Sequence, residues 1–477
     1  MSFASPLFLW YFMPAVLAAV LLAPRSWRNG IVATASVVFY AVGAGPTTWL
    51  LLGCMAVNYV LGPAMEPDDW DLEPQRRRRL LSGVIAFNLA VLVVWKYAGF
   101  ASAQAAGLAS LTGLDLPIVA LALPIGISFY TFHHISYMVD IYRGERRALR
   151  DPISFVAYIA MFPQLVAGPI VRYREIADQL PQLRSRRLGD IGAGFPRFAL
   201  GLTKKVVIAD SLGPVVDACF STSADQMTTG IAWLGAVAYT LQLYFDFSGY
   251  SDMAIGLGRM LGFTLPENFA RPYSSASITE FWRRWHMSLS RWFRDYVYIP
   301  LGGNRRGSRT TYRNLWIVFA LVGFWHGANW TFLVWGLYHG TVLVIERRRG
   351  WAVAATEPGR WVARRVLTLF LVVVGWVLFR APNLGTALVF LQHMVIPDFG
   401  GLTDIVAAAL TNQRLVILLF AAVVFLLPAR PITGRYLESA GSRPATVLRV
   451  GVMTVAALYS ALIVATGTFS PFLYYRF

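Results

Sequence analysis

Residues 315–345 read LWIVFALVGFWHGANWTFLVWGLYHGTVLVI, a run without Asp, Glu, Lys or Arg. About 20 mostly apolar residues suffice to cross the hydrocarbon core of a bilayer. The run is long enough to span, and it carries an imidazole, His326, and a carboxamide, Asn329, in its middle. Apolar stretches recur on both sides, at residues 7–23, 31–42, 49–65, 80–100, 117–140, 155–171, 195–210, 231–247, 366–379, 415–427 and 447–466. The length rule predicts roughly ten to twelve membrane segments, the shorter ones re-entrant or half-spans. No water-soluble domain of normal size fits between them. The expected fold is an all-α, multi-pass integral membrane domain covering residues 1–477.

Composition agrees. The 477 residues are 56% hydrophobic and 14% charged, against about 45–50% and about 25% in soluble domains. The net charge of +17 would suggest nucleic acid on a soluble scaffold. Here the bases cluster in short segments at residues 76–79, 143–150, 172–187, 305–313 and 347–349, which is how cytoplasmic loops are marked. The early loops alternate between basic and base-free, so the N-terminus is expected outside. The first apolar stretch has no basic leader and no small-residue cleavage site, and reads as a retained helix. Cys54 and Cys219 lie in or beside apolar stretches and read as small buried hydrophobes.

Charge density rises in the middle third. Arg172, Arg174, Glu175, Lys204, Lys205, Asp210, Asp246, Asp252, Arg259 and Glu267 interleave with apolar residues there. Polar groups at membrane depth are costly and mark pathways or cavities. At 100° per residue, His326 shares a helix face with Phe319, Val322, Gly323, Asn329, Trp330 and Leu333, which places the imidazole and the carboxamide about one turn apart. Residues 278–295 plot as one amphipathic helix starting near Ser277 or Thr279. Trp282, Trp285, His286, Leu289, Trp292 and Phe293 form its aromatic arc, and Arg283, Arg284, Ser288, Arg291, Arg294 and Asp295 its polar side. Such a helix suits a membrane interface, and the pattern fits His286 equally as a site residue or an incidental one. His133, Ser136, Tyr137 and Asp140 form a polar stripe that favours helix–helix hydrogen bonding. His339 and His393 read as structural. Dinucleotide and phosphate-loop glycine patterns, metal-ligand spacings and a nucleophile elbow do not occur.

Several blocks resemble the bacterial membrane-bound O-acyltransferases. They are Tyr244-Phe245-Asp246-Phe247-Ser248-Gly249-Tyr250-Ser251-Asp252, Glu267-Asn268-Phe269 with Arg271-Pro272-Tyr273, residues 277–303, Trp325-His326-Gly327-Ala328-Asn329-Trp330 with Trp335-Gly336 and His339-Gly340, and Phe472-Leu473-Tyr474-Tyr475-Arg476-Phe477. The likeness runs from about Leu123 onward and is dense over residues 240–340. It implies a ring of about eleven tilted helices, with re-entrant and interfacial helices, around a thin centre, and a catalytic core over about residues 123–345. It also implies that His326 is the catalytic histidine and His286 the second histidine of the site. Asn329, Trp325, Arg283, Arg284, Arg291 and Asp246 are expected to support the site or bind substrate. The implied reaction is O-acetylation of an envelope or exported polysaccharide such as alginate. Acetyl-CoA, or another acyl thioester, is the expected donor on the cytoplasmic side of the inner membrane, with no cofactor or metal. The expected partners are a periplasmic SGNH-type acetyltransferase, a polysaccharide synthesis complex and membrane lipids, with no nucleic acid. Two other classes stay open on the residues alone. A transporter would call for an inverted repeat, which is not found, and a non-catalytic scaffold would leave His326 and Asn329 without a role.

Overall fold

The computed structural model describes residues 1–67, 73–180, 188–352, 357–426, 443–467 and 472–473. Leu427, the basic residues Arg184, Arg186 and Arg187, and the residues Tyr474, Tyr475, Arg476 and Phe477 lie outside the described set. Every regular element among the described residues is helical. Four helical stretches, Arg25–Leu61, Pro74–Ser110, Gly359–Arg380 and Thr446–Ala465, are long and apolar enough to cross a membrane, and shorter apolar helices accompany them. The chain divides into two compact units, Met1–Phe198 with Met253–Pro266, and Ala199–Asp252 with Glu267–Phe477.

The first unit holds helices α1 (Arg28–Ala44), α2 (Thr48–Leu61), α3 (Pro74–Ser110) and α4 (Ile127–Tyr142), and an aromatic cluster to which α1 contributes Phe39. Phe162 packs against Phe12 at 5.4 Å and Phe39 at 5.5 Å. A reciprocal carboxamide pair ties α2 to α3: Asn58 donates to Asn88 over 3.1 Å, and Asn88 donates back over 3.0 Å. Hydrogen bonds of this kind hold helices together where hydrocarbon offers polar groups no other partner. The polar stripe of α4 ties that helix to two other helices and to a loop. Ser136 Oγ lies 3.1 Å from Tyr158 Oη. Tyr137 Oη accepts from the Leu149 amide over 3.1 Å, and Asp140 Oδ2 accepts from the Arg174 amide over 3.0 Å. His133 and His134 are fully buried on the same helix.

Two expected spans in this unit are interrupted. Residues 114–124 carry no regular structure, and α4 starts only after Gly126, at φ +72°. A Cβ there would stand 2.6 Å from the Leu165 carbonyl oxygen, so the turn requires glycine on both counts. The stretch 155–171 breaks after the helix Pro152–Ile159 into a single turn, Phe162–Leu165. Pro163 explains this, because its ring would collide with the carbonyl of Ile159 if the helix continued. Cys54 and Cys219 are both buried, unbridged thiols.

The second unit contains α5 (Thr229–Met260) up to Asp252, α6 (Ile278–Arg284), α7 (Met287–Phe293), α8 (Gly307–His326), α9 (Trp330–Arg348) and α10 (Pro358–Arg380). The decisive run, residues 315–345, is therefore a helical hairpin and not one span. Helix α8 ends at His326, Gly327 is extended at φ −169°, and Asn329 caps α9. A Cβ on Gly327 would overlap the Phe332 ring, which keeps the turn tight. The Asn329 Oδ1 accepts from the Thr331 amide over 3.1 Å, the ordinary office of an N-cap asparagine. The two helices close at a glycine pair, where a Cβ on Gly323 would lie 3.1 Å from Gly336 Cα.

Several buried charges among the described residues of this unit are paired. Lys205 Nζ lies 2.7 Å from Asp210 Oδ1 and 2.6 Å from Asp246 Oδ1, and Lys204 Nζ lies 2.6 Å from Asp252 Oδ2. Asp246 Oδ2 also accepts from the Leu473 amide over 3.1 Å. Removing one partner of a buried pair leaves an uncompensated charge and costs about 3–5 kcal/mol, whereas replacing both by apolar residues is often neutral. Asp246→Leu is thus expected to depress the thermal midpoint in detergent, and Lys205→Met together with Asp246→Leu to recover part of the loss; strictly additive losses would refute the pairing. Gly336→Leu is expected to overpack the hairpin at a cost of about 1–3 kcal/mol. An unchanged melting profile for that variant would mean that α8 and α9 do not touch there.

Candidate active site

His326 is the last residue of α8 and 6% exposed. Its imidazole stands among three aromatic rings. Trp325 lies at 4.8 Å, Trp335 at 5.2 Å and nearly perpendicular at 89°, and Phe379 of α10 at 5.1 Å and 77°. Trp335 is fully buried, and Phe332 closes on Phe379 at 4.9 Å. The ring-edge contacts hold the imidazole plane as a packed core holds any aromatic side chain. The hairpin places it by ending α8 at this residue.

His286 sits where the expected single helix over residues 278–295 breaks. Helix α6 ends at Arg284, Trp285 is extended at ψ 130°, and His286 takes the left-handed conformation, φ 43° and ψ 53°, before α7 begins at Met287. A non-glycine residue held in such a region carries roughly 1–3 kcal/mol of strain and persists only where surrounding contacts over-determine it. Those contacts come from residues 268–270. The Ala270 amide donates to the Arg284 carbonyl over 2.9 Å, and the Met287 amide donates to the Asn268 carbonyl over 2.9 Å. The pair of backbone bonds brackets the kink. His286 is not the edge residue of an interfacial helix; it is fully buried. Phe247 of α5 meets its ring at 4.7 Å and 88°.

The side chain of Asn268 completes the bracket. Its Oδ1 accepts from the Ser288 amide over 3.2 Å and from Ser288 Oγ over 2.9 Å, and lies 3.1 Å from His286 Nδ1. The Trp325 indole, 4.8 Å from His326, is also 6.3 Å from His286. One indole thus stands beside both imidazoles, and the two expected site histidines are brought together.

The start of α6 is fixed from α9. Ser277 caps it by accepting from the Glu280 amide over 3.0 Å. Glu346 Oε1 accepts from the Ile278 amide over 2.6 Å, and Oε2 from the Thr279 amide over 2.8 Å and Thr279 Oγ1 over 2.7 Å. A carboxylate at a helix N-terminus satisfies orphan amides and suits the local dipole. The bond geometry joins the segment that carries His286 to the helix that follows His326.

The other expected site residues separate by role. Asn329 does not face His326 across a helical turn, because the helix ends between them. Its Nδ2 donates to the Pro382 carbonyl over 2.9 Å, and its Oδ1 is the α9 cap. The Asp246 carboxylate is committed to Lys205 and the Leu473 amide. Arg284 is held by Glu280 at 2.6 Å and Ser274 Oγ at 2.8 Å, and Arg291 donates to the Glu267 carbonyl over 3.1 Å. Arg283 is exposed. Arg283, Arg291 and Arg294 line a cavity of about 510 Å³, whose apolar wall includes Met287, Val318 and Val322. Met287 follows His286 directly, and Val322 lies one turn before His326 on α8. His339 is fully buried between Trp282 and Trp335, each at 5.2 Å, and His393 lies 4.0 Å from Asp398 on a partly exposed surface. Asn268 and Glu346, which hold the His286 segment, were legible only as members of a motif and a helix end.

The sequence model of the MBOAT, membrane-bound O-acyltransferase family, matches residues 123–386. The chain is 43% identical to the probable alginate O-acetylase AlgI of Azotobacter vinelandii, over 100% of both chains. It is 44% identical to the probable alginate O-acetylase AlgI of Pseudomonas aeruginosa, over 89% of this chain and 80% of that one. It is 37% identical to the peptidoglycan O-acetyltransferase of Helicobacter pylori, over 81% of this chain and 77% of that one. With a family match spanning both histidines and full-length likeness to acetylating enzymes, this multi-pass membrane protein belongs to the membrane-bound O-acyltransferase family and is an acyltransferase.

Proposed function

We propose that the enzyme passes an acetyl group across the membrane for O-acetylation of an envelope or exported polysaccharide such as alginate, taking it from acetyl-CoA or another acyl thioester on the cytoplasmic side. In this reading about eleven crossings form one membrane domain in the inner membrane with a periplasmic N-terminus. The acetyl group then reaches the outer face, where a separate SGNH-type transferase and the polymer-synthesis machinery receive it. The alginate O-acetylase and peptidoglycan O-acetyltransferase relatives support the acceptor class. The observation that carries the chemistry is the pair of buried imidazoles near one indole, 4.8 and 6.3 Å from the Trp325 ring.

A thioester is already activated, so no nucleotide hydrolysis is required. The hydroxyl acceptor is a poor nucleophile until a base removes its proton. His326 takes that proton as the oxygen attacks the thioester carbonyl. The new C–O bond forms, the C–S bond breaks, and the thiolate leaves and receives the proton from the imidazolium. His286 lies beside this centre as the second imidazole. Arg283 and Arg291, which line the cavity, attract the phosphates of the donor, for which the planar guanidinium is well suited.

His326→Ala is expected to lower release of labelled acetyl from acetyl-CoA by about 10²–10⁴-fold, the usual contribution of a positioned base. The measurement is thiol release and label transfer by detergent-purified protein, with a melting profile beside it. Full turnover in a folded His326→Ala enzyme would dismiss this mechanism. Arg283→Gln is expected to raise KM for the donor more than it changes kcat, the pattern of lost ground-state binding. A salt-independent donor KM that Arg283→Gln leaves unaltered would remove the arginine from that role.

A further inference from the structure

We infer that Asn268 is a positioning residue that fixes the tautomer of His286, so that His286 Nδ1 carries the proton and Nε2 carries the lone pair. The inference rests on the acyl-transfer reading for its consequence, but its geometry is independent of it. A main-chain N–H only donates, and the Ser288 amide meets the Asn268 side chain at 3.2 Å. The Asn268 atom at that position is therefore the carbonyl oxygen, an acceptor only. The same oxygen lies 3.1 Å from His286 Nδ1. Two acceptors do not bond, so Nδ1 must be the protonated nitrogen. In a neutral imidazole the other nitrogen is then the base.

Three further features suit a ring held for use. His286 is one of two non-glycine residues with positive φ among the described residues, and its conformation turns the side chain out of the path a continuous helix would give it. Strain of that kind clusters at functional sites. Phe247 fixes the ring plane edge-on at 4.7 Å, which leaves rotation of the imidazole as the way to exchange its nitrogens, and Asn268 blocks that rotation. The oxygen is itself oriented twice by Ser288, through the amide and through Oγ. This is the arrangement by which a neighbouring acceptor sets the role of a catalytic or ligating imidazole. His286 thereby becomes a second proton acceptor in the site: its Nε2 takes up the proton that His326 has removed from the hydroxyl and passes it to the departing thiolate.

Solid-state nitrogen NMR of protein labelled with ¹⁵N-histidine tests the tautomer without turnover, His286 being identified by its loss in His286→Ala. The expected result is a protonated Nδ1 and a bare Nε2, retained in Asn268→Asp, which keeps an acceptor oxygen, and altered in Asn268→Leu. A wild-type His286 protonated at Nε2 would overturn the inference. In thiol-release assays Asn268→Leu is expected to lose about 10²-fold in kcat with donor KM within about threefold, and Asn268→Asp to restore most of it. An Asn268→Leu enzyme with wild-type kcat would also overturn it. Failure of the wild type to release thiol would reject the acyl-transfer reading instead, because the nitrogen spectrum is read separately.

Discussion

The site depends on two backbones coming into contact where Gly323 of α8 faces Gly336 of α9. In hydrocarbon, apolar surface gains nothing by leaving its surroundings, so helices associate through close packing and hydrogen bonds. Two glycines permit the approach, and the short turn through Gly327 follows from it. His326 is placed at the end of α8 by that hairpin, and Trp335, on the facing helix, is placed against it. A side chain at either glycine would spread the pair and carry the imidazole away from the rings that hold it.

A second constraint is electrostatic. Charges within a low-dielectric interior are tolerated only when paired. Lys205 is held between two carboxylates, Glu346 is saturated by two amides and a hydroxyl, and Arg284 is held by Glu280. They fasten segments that have no long helix to stabilise them, such as α6 and α7 with seven residues each. The polar density that marks the middle of the chain is thus mostly scaffolding, with the two imidazoles set inside it.

Much of this was legible beforehand. Membrane character followed from apolar runs and sparse charge, and His326 stood out because an imidazole deep in an apolar run needs a reason. Helical periodicity misled at both histidines. It treated residues 315–345 and 278–295 as uninterrupted, and so put Asn329 on the face of His326 and His286 on an interfacial surface. The breaks have causes that periodicity does not encode: a local cap formed by Asn329, and a left-handed turn at His286 held by tertiary hydrogen bonds with residues 268–270. Asn268 was visible as part of a shared motif, but its function is a contact across 18 positions of sequence. For the polar stripe of α4 the helix–helix reading holds at Ser136 and Asp140, which meet Tyr158 and Arg174 of other helices, while Tyr137 bonds to the loop residue Leu149.

The bond from the Leu473 amide to Asp246 has a consequence in time. Donor and acceptor are separated by 227 residues. At ribosomal rates of about 5–20 residues per second, the carboxylate is made roughly 10–45 s before the amide that it will bind. During that interval Asp246 has Lys205 for company, five residues before Asp210 in a helix already synthesised. The ion pairs to Lys205 are thus available to Asp246 before Leu473 exists, and the surroundings of Phe247, which touches both His286 and Phe472, are completed only once residue 472 has been made. The wall beside His286 is thus closed by a residue made long after His286 itself.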